Sequence, residues 1–330
     1  MTRSQNRITL PTASEWRPIP LDPKNAPADD LASTSCHISV MPEEIVATLS
    51  EIQPRVLVDG TFGAGGHSQR LLLQNSDPNL ILIGLDRDPE VSKRYEQRPL
   101  DDTRLQLFVG SYEKTPKAMA AMEVDSLDAM VRDLGLSSDQ LADRERGFSF
   151  THQESALDLR FDQETGHTAA EWLAWSSEKE IADTIYRYGE ERFSRRIARE
   201  VVARRRREAP IRTVGQMVEV CRQCVPRSRN HDIHPATRTF QALRIAVNDE
   251  LGALERTLAS APQWFRPGGR LAIISFHSLE DRMVKQAFRD DDRWSPLTRK
   301  PLRPTDHEIH TNPRSRSAKL RVAERTDTAD

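Results

Sequence analysis

The sequence predicts an α/β protein, a Rossmann-like doubly wound sheet interrupted by a mainly helical domain. Three observations predict it. Val56-Leu57-Val58 is a short apolar run that breaks into the glycine-rich stretch 59–68 and resumes as a helix-like segment through residues 70–73. That is the strand, glycine turn and helix of a nucleotide-cradling half-sheet. Three more apolar runs follow at helix-length spacings, residues 81–86, 105–109 and 127–135, and such alternation implies a parallel sheet with helices on both faces. The next convincing strand is 270–276, announced by Arg266-Pro267-Gly268-Gly269, and the interval before it is far longer than one crossover helix needs.

In chain order, residues 1–35 are polar, punctuated by proline and without periodicity, which reads as a disordered extension. Residues 37–50 read as a lead-in followed by a helix with Pro42 in its first turn. Gly63, Gly65 and Gly66 let the backbone turn sharply and approach a ligand with no Cβ in the way. Asp86, at the tip of the second strand, is placed to accept hydrogen bonds from both hydroxyls of a ribose. The third strand closes on Gly110-Ser111-Tyr112 and the fourth on Asp133. Helical patterns stand at 169–174, 178–187, 192–207 and 214–224. They assign 141–233 to an inserted helical domain, with 36–140 and 234–330 as the discontinuous sheet domain. Residues 237–258 read as one long helix returning to the sheet.

The glycine loop bears on the cofactor. A dinucleotide fold wants G-x-G-x-x-G, whereas Gly63-Ala64-Gly65-Gly66-His67-Ser68 has a glycine one place early and serine at the sixth position. The pattern Asp59-x-x-x-Gly63-x-Gly65-Gly66 resembles instead the first motif of class I S-adenosylmethionine (SAM) methyltransferases. A glycine turn with no ligand is the bland alternative.

Composition sets bounds. At 330 residues, 37% hydrophobic and 30% charged, the chain has the material for about two cored domains. A net charge of −2 does not announce a nucleic-acid binder, but the charges are unevenly spread. Three cysteines, Cys36, Cys221 and Cys224, argue against a disulfide scaffold and fit a reducing cytoplasm. No apolar run reaches membrane-spanning length, and the first residues lack the apolar core of a signal peptide.

Longer blocks carry a specific resemblance. Asp133-Leu-Gly-Leu-Ser-Ser-Asp-Gln-Leu141 runs on to Glu145-Arg-Gly-Phe-Ser-Phe150. His234-Pro-Ala-Thr-Arg-Thr-Phe-Gln-Ala-Leu-Arg-Ile245, Ile274-Ser-Phe-His-Ser-Leu-Glu-Asp-Arg282 and Asn312-Pro-Arg-Ser-Arg-Ser-Ala-Lys-Leu-Arg321 follow. With residues 59–68 these closely resemble the bacterial ribosomal RNA small subunit methyltransferase H family, 16S rRNA (cytosine(1402)-N(4))-methyltransferases, from about residue 37 to 325. The resemblance implies a class I methyltransferase domain with a helical insertion, SAM as cofactor, and 16S rRNA or the small ribosomal subunit as partner. It implies a cytoplasmic enzyme with no membrane and leaves a homodimer open. Carried over position by position, it implies SAM contacts at Gly65, Gly66, His67, Asp86, Tyr112, Asp133 and Gln140. Tyr112 departs from a frequent phenylalanine. Arg132 stands where an apolar residue is usual, so its charge is expected to reach solvent or a carboxylate.

The chemistry is consistent with this. Methyl transfer from a sulfonium needs an in-line nucleophile, and positioning supplies most of the rate. The exocyclic amine of cytosine is a weak nucleophile, and an acceptor for its hydrogens can aim it. Asp133, or the carbonyl of Leu134, lies where α/β sheets place such groups, although a turn acid is the structural alternative. His277, Ser278 and Asp281 follow the fifth strand on the same sheet edge, and His277 is a second catalytic candidate. Methylation at ring carbon C5 needs a nucleophilic cysteine near this strand end, and none is there. Cys221 and Cys224 with His231 and His234 have zinc-binding residue types, but their spacing is shorter than in finger motifs, so no metal is expected. Arg192, Arg195, Arg196, Arg199 and the run 204–207 form a basic stripe suited to phosphate contact or to solubility. Arg314, Arg316, Lys319 and Arg321 form a second basic cluster. Phe148 and Phe150 are candidates to stack an unpaired base or to pack a core. Two other classes stay open: a DNA amino-methyltransferase, which usually carries Asp/Asn-Pro-Pro-Tyr/Phe at this strand end, and a non-catalytic RNA-binding assembly factor, which incorporation of label from SAM would exclude.

Overall fold

The computed structural model describes residues 38–97, 100, 102–226 and 234–328. The expected N-terminal extension, Cys36 and His231 lie outside them. Helix α1 (Pro42–Ser50) leads to β1 (Val56–Asp59), α2 (Gly66–Gln74), β2 (Ile81–Asp86), α3 (Glu90–Gln97) and β3 (Leu105–Val109). A 3-10 turn (Tyr112–Lys114) and α4 (Thr115–Ala121) then carry the chain to β4 (Leu127–Asp133) and α5 (Ser138–Ala142). The helical insertion contains α6 (Ala169–Trp175), α7 (Glu178–Gly189), α8 (Ser194–Arg206), α9 (Val214–Cys224) and α10 (Thr237–Asn248). Helix α11 (Glu250–Ser260), β5 (Phe265–Ser275), α12 (Ser278–Asp290), β6 (Trp294–Pro296), α13 (Asp306–Thr311) and β7 (Lys319–Arg325) complete the chain.

The strands form one sheet in the order β3-β2-β1-β4-β5-β7-β6. The first five are mutually parallel, while β7 runs antiparallel to both β5 and β6. The sequence reading expected a parallel sheet and gave residues 319–321 to a basic tail. Instead Leu320, Val322 and Ala323 are buried in β7, and Arg321 is buried and bonded to Asp281 at 2.7 Å. A strand held between two neighbours buries its charged residues too, so each needs a partner. From β1 the chain winds outward one way through β2 and β3, and the other way through β4 and β5. The crevice at the carboxyl ends of β1 and β4 is therefore the topological switch point, where doubly wound sheets bind ligands.

The insertion has its own core. Ile181 and Ile185 of α7, Ile197 and Val201 of α8, and Met217 and Cys221 of α9 are buried together at helical spacing. Reciprocal capping boxes start α6 (Thr168 with Glu171), α7 (Ser177 with Glu180) and α9 (Thr213 with Gln216), each satisfying N–H groups that a bare helix end would waste. The expected single helix over 237–258 is two. It breaks at Asp249, which takes a left-handed conformation with φ of 50°. Phe240, Ala242 and Leu243 of α10 pack into the insertion's cluster, while Leu254 and Leu258 of α11 pack against the sheet. The chain thus returns to the sheet after Asn248 rather than at residue 234. Asn248 is buried at the break: its amide donates to the Leu159 carbonyl at 2.7 Å and its Oδ1 accepts the Phe161 N–H at 2.8 Å.

Candidate active site

A cleft opens at the switch point, between the ends of β1, β2 and β4 and helix α11. Its floor begins with the glycine loop. Gly63 and Gly65 have φ of +55° and +76°, and a Cβ on Gly65 would lie 2.8 Å from Phe62 Cζ, so the loop excludes other residues there. Asp59 beneath it is buried and shapes the loop: Oδ1 accepts the Thr61 N–H at 3.2 Å and Oδ2 accepts the Ser68 hydroxyl at 2.7 Å. Helix α2 starts at Gly66 with no side chain capping it. Its first N–H groups and positive dipole end suit an anionic group such as an amino-acid carboxylate. His67 Nε2 lies 2.8 Å from the Val40 carbonyl, which can only accept, so the ring carries its proton there.

Asp86 faces the same cleft. Its Oδ2 accepts the Gly63 N–H at 2.7 Å and its Oδ1 the Asp88 N–H at 2.9 Å. Burial pushes its carboxyl up to about 6, against the pull of those two N–H groups. Each oxygen keeps a lone pair for a ribose hydroxyl. Asp88 is itself fully buried and held by both Nη atoms of Arg146, at 2.8 and 3.0 Å. Gln140 closes this side. Its amide reaches Asp88 at 3.5 Å and its Oε1 accepts the Ser137 N–H in the capping box of α5.

Tyr112 lines the cleft beside Ser111. Arg132 departs from expectation: it reaches neither solvent nor a bonded carboxylate. It is fully buried, with its Cζ 3.4 Å from the centroid of the Tyr112 ring. Burial draws it below the usual arginine value, with Tyr112, Glu113 and Glu280 opposing. On the opposite face of β4, Asp133 lines the cleft, its Oδ1 accepting the Gly135 N–H at 3.0 Å. The hydroxyl of Thr61 accepts the Asp133 N–H at 2.6 Å and so ties the end of β4 to the glycine loop.

Other candidates fall outside the cleft. His277 is the N-cap of α12: its Nδ1 accepts the Glu280 N–H at 3.4 Å, and its Nε2 lies 3.1 Å from Glu280 Oε1. The ring serves as part of a capping box and does not line the cleft, so the structure lends its catalytic reading no support. Phe148 is buried, with its ring stacked on Phe161 at 5.7 Å, and presents no open face to a base. Phe150 packs between His234 and Phe240. Arg192, Arg195, Arg196 and Arg199 are exposed along the insertion, with Arg196 donating to the Gln223 carbonyl and Arg199 lying 4.0 Å from Glu178. The run beyond them splits: Arg204 pairs with Glu200 and Glu219, and Arg205 caps α6 through the carbonyls of Leu173, Ala174 and Ser176. Arg316 is exposed, and Arg314 is half-buried within electrostatic reach of Asp133 and Asp139. Cys221 and Cys224 are buried in the helical core, where burial pushes the Cys221 thiol up to about 12. Among the described residues no His, Cys, Asp and Glu cluster has the arrangement of a metal site, and no helix is long and apolar enough to cross a membrane.

The sequence reading missed several cleft residues. Phe161 enters from the insertion, Glu250, Ala253 and Leu254 from α11, and Glu280 from α12. Burial would raise Glu280, but His277, Arg244 and the Phe276 N–H outweigh it and hold the carboxyl below its usual range. The recognised block around Glu280 was a signal; the isolated Phe161 offered none.

The parts fit an S-adenosyl amino acid: an acid for the ribose, an aromatic ring beside it, a bare helix start and glycines that admit a backbone-close ligand. Residues 34–326 match the model of the MraW methylase family. The chain is 60% identical over 315 residues to "Ribosomal RNA small subunit methyltransferase H" of Rhodopirellula baltica, covering 93% of this chain and 96% of that one. The protein of the same name from Synechococcus elongatus is 47% identical over 292 residues, covering 88% and 94%. That from Sorangium cellulosum is 44% identical over 297 residues, covering 89% and 92%. The match takes in the sheet and the insertion alike: the chain belongs to the MraW methylase family, with S-adenosylmethionine as its cofactor.

Proposed function

We propose that the protein methylates N4 of a cytidine in the decoding region of 16S rRNA, on free rRNA or on the small subunit. The names of its relatives support the ribosomal substrate. The observation that carries the choice of atom is the carboxylate of Asp133 on the cleft wall, anchored by the Gly135 N–H. An acceptor there bonds an amine hydrogen of the base, turns the nitrogen toward the methyl group, and can take the proton that nitrogen sheds on methylation. No cysteine lines the cleft among the described residues, which disfavours covalent chemistry at C5. SAM, when bound, supplies the methyl group as an electrophile. The chain's task is to orient both reactants and exclude water.

The exposed arginines of α8 support a second part of this reading, in which the insertion (141–233 with α10) contacts rRNA phosphates while the sheet domain (36–140 and the residues beyond Asn248) holds the cofactor. The target must be presented unpaired, because its amine is engaged inside a duplex. Small subunits incubated with the protein and SAM, then digested to nucleosides, should yield N4-methylcytidine at one decoding-region position. 5-Methylcytidine, or no new nucleoside, refutes the assignment.

A further inference from the structure

Arg132 occupies a place where a charge is costly. It is fully buried, and a guanidinium removed from water needs partners for its N–H groups. Among the described residues none of its three nitrogens makes a hydrogen bond of ordinary geometry, and the polar group that acts on it most closely is the Tyr112 hydroxyl. Its close neighbour is the Tyr112 ring, 3.4 Å from Cζ to centroid. Glu113 and Glu280 act on it only through space. Gly60 makes the stack fit, since a Cβ there would lie 3.1 Å from Arg132 Cγ and 3.2 Å from Tyr112 Cβ. Stability alone does not account for such a residue, because an apolar side chain of similar volume is often neutral or better at a buried charged site.

Function does account for it. Tyr112 lines the cofactor cleft, and one face of its ring is covered by Arg132. A cation on one face is held by the ring quadrupole more strongly when desolvated. It fixes the ring plane and draws π density from the far face, which favours stacking of an electron-rich purine. We propose that Arg132 is a positioning residue for the cofactor, clamping Tyr112 at the angle that receives the adenine of SAM. The inference rests on the reading that Tyr112 contacts the adenine.

Calorimetry with S-adenosylhomocysteine tests it on the full chain. Arg132→Leu should bind about tenfold more weakly while its melting temperature holds or rises, and KM for SAM should rise by the same factor with the change confined to KM. Arg132→Gln, which keeps the length and drops the charge, should show the same loss and stands in if the leucine variant does not fold. The loss should vanish in a Tyr112→Ala background, because the two residues act as one unit. Parent affinity in Arg132→Leu, or in Arg132→Gln where that variant is needed, overturns the proposal if Tyr112→Ala is itself weakened. A loss that persists without Tyr112 also overturns it. If Tyr112→Ala binds as the parent does, the adenine reading of Tyr112 falls and takes this inference with it.

Discussion

Arg146 grips Asp88 with both Nη atoms, at 2.8 and 3.0 Å, in a pair almost without exposure. One partner stands two residues past Asp86, the other in the segment that opens the insertion. The Asp88 N–H in turn bonds Asp86, so this pair joins the insertion to the carboxylate on the cleft wall.

Breaking the pair should therefore cost both stability and cofactor binding. Arg146→Met takes the nearest cation from a buried carboxylate, leaving it Arg94 at 3.6 Å, and should destabilise by up to about 3–5 kcal/mol in denaturant titration. The double variant Asp88→Asn with Arg146→Met should recover most of that loss, because the fully buried carboxylate is gone. A single variant within about 1 kcal/mol of the parent would show that the pair is not closed in solution.

Cofactor affinity should depend on pH through Asp86. Its carboxyl is raised to about 6, so it gains a proton as pH falls through that value. The neutral acid is a weaker acceptor for two hydroxyls. S-Adenosylhomocysteine should thus bind best above pH 6 and progressively less well below it. Asp86→Asn should bind weakly at all pH values and abolish the transition; a transition that survives the substitution belongs to another group.

Asp133→Asn keeps the acceptor for the Gly135 N–H and removes the charge. Activity on rRNA should fall by about a hundredfold or more, with melting temperature and S-adenosylhomocysteine affinity near parental values. A melting temperature that falls in step with activity would make Asp133 a turn acid.

Replacing Arg195, Arg196 and Arg199 by Gln should weaken rRNA binding and flatten its dependence on salt by up to about two units of slope. All three are exposed on α8, so folding should be untouched. Cofactor affinity should be unchanged. An unaltered salt slope would leave α8 as a solvated face and move the search to Arg314 and Arg316.

The sequence by itself determined the scaffold. Local periodicity and chemistry decide where a strand ends and a helix can start, and those signals placed β2, β3 and α9 at their observed bounds. The family resemblance, rather than periodicity, singled out Gly65, Gly66, His67, Asp86, Tyr112, Asp133 and Gln140; six of them line one cleft and Gly65 caps the helix that follows. Tertiary structure decided which of several chemically similar residues were spent on packing. His277 became a cap because Glu280 stands three residues on, and Phe148 became core because Phe161 folds onto it. Residues 237–258 carry one uninterrupted helical pattern, yet two separate cores compete for its apolar residues and break it at Asp249. The strand β7 was equally hidden, since alternating charges read as a solvated tail until β5 and β6 flank them. Arg132 shows the limit most clearly. A charge in an apolar run predicts escape to water, and only the fold could offer it the face of Tyr112 instead.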